Sequence, residues 1–295
     1  MILSRRTALA GCLALAGCAP RQGANSGAPA PDDPRFAAIE ARIGGRVGVF
    51  AMDLQTGARL AHRAGERFAM CSTFKWLLAA QMLHDDAHQP GFRDQQLRFS
   101  ESDLLDYAPV ARQHVARGWM TVEEACAGAV TLSDNTCANL LLVGAGGPEG
   151  FTAFLRSNGD AVTQLDRTEP ELNIVAPGDP RDTTTPNAMV QNLRRFLLTD
   201  DALNPASRER LIGWMVESRT GRERLRAGLP ADWRVGDKTG TWTGEHNAAN
   251  DVAIARPPGR APILIAVYLH ASTAPFAERN AAHAEIARIV AAEWA

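Results

Sequence analysis

The order of strand-like and helix-like segments in this 295-residue chain predicts an α/β (α+β) fold. An antiparallel sheet with terminal helices is expected, plus an inserted all-helical lobe, with an active site in the cleft between them. Two observations carry this. Short runs of β-branched and apolar residues cluster near both ends, while residues 70–215 follow a helical period almost throughout. Behind a short leader, about 260 residues remain, enough for one large domain or two intimately packed lobes.

Met1 to Arg6 is a basic n-region, and Ala8 to Gly17 is an apolar stretch too short to span a bilayer, so residues 1–18 read as a targeting leader. It ends in Leu15-Ala16-Gly17-Cys18, which resembles a bacterial lipobox with Cys18 as the acylated residue; a plain cleaved secretory signal has the same outline. Ser4-Arg5-Arg6 also resembles a twin-arginine signal, but Ala8 stands where a bulky apolar residue is usual. Residues 19–34, rich in Pro, Gly, Ala and Ser, are expected to be a flexible tether. The expected location is exported and periplasmic, touching a membrane only through a lipid on Cys18.

The first helix is expected from Phe36 to Ile43, followed after Gly44-Gly45 by a strand from Arg46 to Asp53. Gln55-Thr56-Gly57 turns that strand back into Arg59 to Arg63. Helices are expected at Thr73–His84, Val122–Ala129, Thr136–Val143, Gly150–Ser157 and Pro186–Leu198. Strands at Trp233–Thr241, Ala248–Ala255 and Ile263–His270 follow, the last two joined by Pro257-Pro258-Gly259, and a helix from Ala277 to Ala292 closes the chain. The expected lobes are therefore 35–69 with 216–295, and 70–215.

A net charge of −2, with 45% hydrophobic and 22% charged residues, describes an ordinary soluble domain. It offers no basic field for nucleic acid, and the chain is expected to act as a monomer. Two of the five cysteines, Cys12 and Cys18, lie in the leader. Cys71, Cys126 and Cys137 remain, each by default a small buried hydrophobe; at most one disulfide is available, and spacing leaves its pairing open.

Only two lysines, Lys75 and Lys238, stand against 29 arginines. A position that stays lysine in such a composition needs what arginine cannot supply, a compact ammonium able to lose its proton. Both sit in short motifs. In Ser72-Thr73-Phe74-Lys75 the hydroxyl and amine lie three residues apart on one helical face. The apolar run Trp76 to Ala80 marks that helix as buried, and burial makes a neutral lysine accessible as a base for the serine. Ser133-Asp134-Asn135 adds a second hydroxyl and an amide able to orient an acyl group, although any such triplet can also cap a helix. Lys238-Thr239-Gly240 sets a cation and a hydroxyl beside a glycine that allows close backbone approach.

In this order and spacing the three motifs resemble the signatures of serine β-lactamases and penicillin-binding proteins. A fourth segment, Arg167-Thr168-Glu169-Pro170-Glu171-Leu172-Asn173 running on to Asp182, is similar to the Ω loop (167–182) of class A β-lactamases. The resemblance covers roughly 34–295. It implies a β-lactam substrate and neither metal nor cofactor. Ser72 is then the nucleophile, Lys75 and Glu169 are the candidate bases for acylation, and Glu169 with Asn173 holds the hydrolytic water. Ser133 protonates the departing nitrogen. The N–H groups of Ser72 and Thr241 form the oxyanion hole, and Asn135, Lys238, Thr239, Gly240 and Thr241 meet the substrate. Arg167 and Asp182 form the pair that closes the Ω loop, and the Glu169–Pro170 bond is expected to be cis.

Tyr107 resembles the aromatic residue at the cleft edge, though a partly packed surface tyrosine fits the same sequence. Arg224 matches a position that sends a guanidinium to the carboxylate region, among neighbours Arg219, Arg222, Arg226 and Arg234 that differ from it only in register. Trp242 departs from the family pattern: an indole replaces a small residue or a cysteine bonded to the equivalent of Cys71. A D,D-peptidase and a non-hydrolysing β-lactam sensor share the acylation chemistry. Glu169 in its loop separates them from a hydrolase.

Overall fold

The computed structural model describes residues 30–295. The leader, Cys18 and most of the tether lie outside the described residues. Helix α1 (Pro34–Ile43) starts where the Asp33 carboxylate accepts from the Arg35 N–H, with Pro34 in a first turn that needs no donor. It leads into β1 (Arg46–Asp53) and the hairpin partner β2 (Arg59–His62). After a two-residue strand, β3 (Phe68–Ala69), the chain enters α2 (Phe74–His88). The middle continues as β4 (Gln96–Arg98), α3 (Ala111–His114), β5 (Trp119–Thr121), α4 (Val122–Thr131), α5 (Asn135–Gly144) and α6 (Gly147–Ser157). Then come β6 (Thr183–Thr184), α7 (Pro186–Leu198) and α8 (Pro205–Val216). The short α9 (Leu225–Gly228) precedes β7 (Arg234–Trp242), β8 (Ala248–Arg256), β9 (Ile263–His270) and the closing α10 (Phe276–Trp294).

The five long strands form one antiparallel sheet in the order β2-β1-β9-β8-β7. Val49 of β1 lies opposite His62 on one side and Val267 on the other, so the first and last strands of the chain meet at the centre. β9 is buried at every position, and β1 at all but its first, so both sheet faces are covered. On one face Phe36, Ile39 and Ile43 of α1 join Ile286, Val290 and Trp294 of α10 over Val47, Val49, Ile265 and Val267. Each fully buried side chain of this kind contributes ~1.5–3 kcal/mol. On the other face Phe68 packs against Tyr268, ring centroids 6.0 Å apart, and the Tyr268 hydroxyl meets Thr73 Oγ1 at 3.3 Å.

Residues 74–83 of α2 are all buried, Lys75 and Gln81 among them, as the apolar run Trp76 to Ala80 at its centre predicts. Phe151 of α6 and Phe196 of α7 meet its Phe74 and Trp76 edge-on. Residues 70–215 are mostly helical, but β4 and β5 pair within them as a two-stranded ribbon. β6 pairs with β3, which ties the end of the Ω loop to the segment just before Ser72.

Candidate active site

The chain enters α2 through a tight turn, Cys71–Thr73, that carries Ser72. Cys71 sits in the left-handed backbone region at φ 44°, which a residue with a Cβ seldom adopts. Facing it on β7 is Gly240. A Cβ there would lie 2.6 Å from the Met70 carbonyl oxygen and 3.1 Å from the Cys71 Cβ. Glycine alone lets this edge strand approach so closely, and the approach brings Lys238-Thr239-Gly240 beside Ser72. Asn250 of β8 fixes the turn from behind, its Nδ2 donating to Ala69 O at 2.8 Å and Met70 O at 3.0 Å.

Ser133 is also held at positive φ, 59°. Asp134 explains why: one carboxylate oxygen caps α5 by accepting from the Cys137 N–H at 2.8 Å. The other accepts from the N–H groups of Val110 and Ala111 at 2.7 and 2.9 Å. Asn135 N–H donates to Tyr107 O at 3.0 Å, so the same triplet anchors the tyrosine loop. The Ser-Asp-Asn motif is thus both a helix cap and a platform for two functional side chains.

The reactive groups converge on Glu169. Its Oε1 accepts from Ser72 Oγ at 3.2 Å and from Lys75 Nζ at 2.9 Å, and its Oε2 accepts from Asn173 Nδ2 at 2.6 Å. Lys75 donates further to Ser133 O at 2.9 Å and Asn135 Oδ1 at 2.5 Å. Three acceptors thus surround Nζ, matching the three donors a lysine head group can offer. Asn139, one turn beyond Asn135, clamps the backbone of Glu169, donating to its carbonyl at 2.9 Å and accepting from its N–H at 3.0 Å. The Glu169–Pro170 bond is cis. Asn173 Oδ1 is buried without a protein partner, an acceptor available to water.

The Ω loop is closed by Asp182, fully buried and also at positive φ. Its Oδ1 accepts from the N–H groups of Asp166 and Arg167 at 2.8 and 2.9 Å, and its Oδ2 from Arg167 Nε at 2.6 Å. The arginine is partly open to solvent, its other arm donating to Ile174 O at 2.9 Å. The pair is therefore buried on its acidic side only.

Lys238 Nζ donates to Ser133 Oγ at 2.9 Å and Thr239 O at 2.8 Å. Burial, and next the charge of Lys75, hold its amine well below the ordinary lysine range. Arg224 resolves the choice among its neighbours. It is 3% exposed and reaches across the strands to Gly240 O, Asn250 O and, at 2.7 Å, Thr241 Oγ1, with Asn280 Oδ1 behind it. Arg226 instead pairs with Asp237, and Arg234 with Glu209. Among the described residues Lys238 and Arg224 lack a direct carboxylate partner, which leaves two buried cations at one end of the cleft.

The cleft holds about 460 Å³ and is lined by Ser72, Tyr107, Ser133, Asn135, Glu169, Asn173, Arg224, Thr239, Thr241 and Trp242. Tyr107, 51% exposed, stands at its rim. Trp242 packs against Ala69, Cys71, Val175 and Ala248, its Nε1 donating to Glu245 O at 3.0 Å. Cys71, Cys126 and Cys137 are free thiols, and burial pushes the Cys71 thiol up. Sequence reasoning missed Thr220, whose hydroxyl meets Thr239 Oγ1 at 2.6 Å, as well as Asn139, Asn280 and the cleft-lining Phe276. Only Asn139 left a trace, its four-residue spacing from Asn135.

A serine bonded to a carboxylate that shares a lysine, beside a second lysine–serine pair, defines a serine hydrolase of the acyl-enzyme type. Residues 33–294 match the model of the beta-lactamase enzyme family. The chain is 50% identical over 258 residues to beta-lactamase AST-1 of Nocardia asteroides, covering 88% of this chain and 82% of the relative. It is 48% identical over 255 residues to beta-lactamase L2 of Stenotrophomonas maltophilia, covering 86% and 83%. The solved structure of an ancestral (GNCA) class A beta-lactamase superposes with TM-score 0.84 at 55% identity, covering 88% of this chain and 99% of the other. The chain belongs to the β-lactamase enzyme family, within its class A.

Proposed function

We propose that this protein hydrolyses the β-lactam ring of penicillin- and cephalosporin-type compounds through an ester on Ser72. The observation that carries the reading is the shared carboxylate: one oxygen of Glu169 faces the serine, and the other is held by Asn173. Glu169 takes the Ser72 proton as Oγ attacks the lactam carbonyl, and the Lys75 ammonium on the same oxygen keeps the carboxylate in place. The N–H groups of Ser72 and Thr241 receive the oxyanion, each such donor supplying ~3 kcal/mol. Ser133 Oγ accepts from Lys238, so its own proton is free for the departing nitrogen. The substrate carboxylate settles against Thr239, Thr241 and the two buried cations.

Deacylation uses the same carboxylate, once the proton it took from Ser72 has been passed on to restore the Ser133 hydroxyl that protonated the nitrogen. Water donating to Glu169, and oriented by the unpartnered Asn173 Oδ1, attacks the ester. This step sets the reading apart from a D,D-peptidase or a sensor, neither of which needs Glu169 in that place. Purified protein should turn over a penicillin and a cephalosporin catalytically; stoichiometric acylation without turnover would sink the reading. A carbapenem in the same assay tests how far Trp242 reshapes the cleft.

Finer features belong to the same proposal. The sheet segments 35–69 and 216–295 act as one lobe against 70–215, with the Ω loop spanning 167–182, and the protein works as a monomer in the periplasm. Cys18 is the lipidated first residue of the mature chain; among the described residues no helix is long and apolar enough to cross a membrane. The mass of the mature N-terminus decides this, and a free terminus downstream of residue 18 rejects it.

A further inference from the structure

Phe276 opens α10 immediately after Pro275 and leaves 42% of its surface uncovered, one of the few large apolar side chains among the described residues to do so. Its ring lines the cleft at the end occupied by Arg224, Thr220, Thr239 and Thr241. Two guanidinium groups flank it, Arg224 with its Cζ 5.6 Å and Arg279 with its Cζ 5.3 Å from the ring centroid. Neither arginine is free to leave. Arg224 is committed to Gly240, Thr241, Asn250 and Asn280, and Arg279 donates to Asn247 Oδ1 at 2.7 Å. The ring is therefore a fixed apolar wall, ordered before any ligand arrives.

We propose that Phe276 is a specificity-determining residue: it favours β-lactams whose fused ring carries an aromatic or branched aliphatic group on the atom next to the carboxylate. The inference rests on the β-lactamase reading. Once the carboxylate meets Thr239, Thr241 and Lys238, the neighbouring ring atom faces the Arg224 end of the cleft, and its substituent lies against the open surface of Phe276. A flat or branched hydrocarbon covers that surface. A cationic group there meets two guanidiniums and is disfavoured.

The test uses two cephalosporins with one nucleus and one acyl side chain, differing only in an aryl-bearing group or a methyl beside the carboxylate. Steady-state constants are measured for wild type, Phe276→Ala and Phe276→Leu, with thermal midpoints as the check on folding. About 50 Å² of lost apolar contact predicts a roughly tenfold rise in KM for the aryl substrate in Phe276→Ala, with kcat within about twofold. The methyl substrate should change by less than about twofold, and Phe276→Leu should fall between. Should Phe276→Ala fail to fold, the leucine variant carries the comparison, with a roughly threefold loss confined to the aryl substrate. Equal losses on both substrates mean that Phe276 acts only by bracing Arg224, and overturn the proposal; so does no loss on either. Wild type that turns over neither compound rejects the β-lactamase reading itself, and this proposal with it.

Discussion

Removing Glu169 should convert the enzyme into a trap for its own intermediate. In Glu169→Ala three contacts vanish together: Ser72 Oγ and Lys75 Nζ lose Oε1, and Asn173 Nδ2 loses Oε2. Breaking a buried ion pair by deleting one partner costs ~3–5 kcal/mol. Here the lower end applies, because Lys75 keeps Ser133 O and Asn135 Oδ1, and Asn173 keeps Pro170 O. A domain stable by ~5–15 kcal/mol remains folded after that loss. The rate consequence is larger. A positioned general base contributes ~10²–10⁴-fold, or ~2.7–5.4 kcal/mol of barrier, and an ester in a closed site has no other route to hydrolysis. Intact-mass spectrometry after mixing with a penicillin should show a full-antibiotic adduct on Ser72 that outlives the wild-type intermediate by that factor. Glu169→Gln, nearly isosteric, should trap as well while recovering most of the thermal stability. Turnover of penicillin at the wild-type rate by Glu169→Ala would refute both the assigned base and the mechanism built on it. An adduct that persists on the wild type would place the protein with the non-hydrolysing relatives.

Four further outcomes are expected, for Lys75, Lys238, Asp182 and the cysteines. Arginine in place of Lys75 keeps the charge, but its planar fork cannot match Glu169 Oε1, Ser133 O and Asn135 Oδ1 from a fully buried slot, so Glu169 is displaced and pre-steady-state acylation should fall at least ~10²-fold. In Lys238→Arg a cation still meets the substrate carboxylate, and the loss should be milder. Because burial lowers the Lys238 pKa, its charge disappears as pH rises through that lowered value, so KM should climb on the basic side; Lys238→Arg should flatten that limb. Asp182→Asn leaves the Arg167 arm without its anion and should lower stability by ~2–4 kcal/mol and slow deacylation more than acylation; equal slowing of both steps would count against a specific hold on the Ω loop. Thiol titration of the denatured protein should count Cys71, Cys126 and Cys137 alike with and without reductant, and extra thiols after reduction would contradict the free state.

Strand and helix periods in the sequence located the sheet well. The expected β1 and β9 match residue for residue, as does α7, because each is bounded by glycine or proline and buries a regular pattern. Helix α8 escaped notice although Asn204-Pro205 is a cap followed by a first-turn proline; its apolar residues do not gather on one stripe. The two-residue strands β3 and β6 and the β4–β5 ribbon were beyond reach, since pairs so short exist only because their neighbours are fixed elsewhere. The site divided the same way. Ser72, Lys75, Ser133 and Glu169 announce themselves through motif spacing. Phe276, Thr220 and Asn280 enter the cleft from distant elements, and no local pattern marks them. Arg224 lay between: its neighbourhood was legible, but picking one arginine of five needed the strands it crosses.

The burial of both lysines reaches beyond catalysis. Lys75 and Lys238 are 0% exposed and are the only ε-amines in the sequence, so the native surface offers lysine-directed reagents nothing to attack. Acylation of a lysine by an activated ester therefore reports a molecule whose cleft has opened or whose fold has come apart. Labelling read at Lys75 and Lys238, ordinarily part of an indiscriminate coat, becomes in this protein a count of the unfolded fraction, and one that a ligand filling the cleft should suppress.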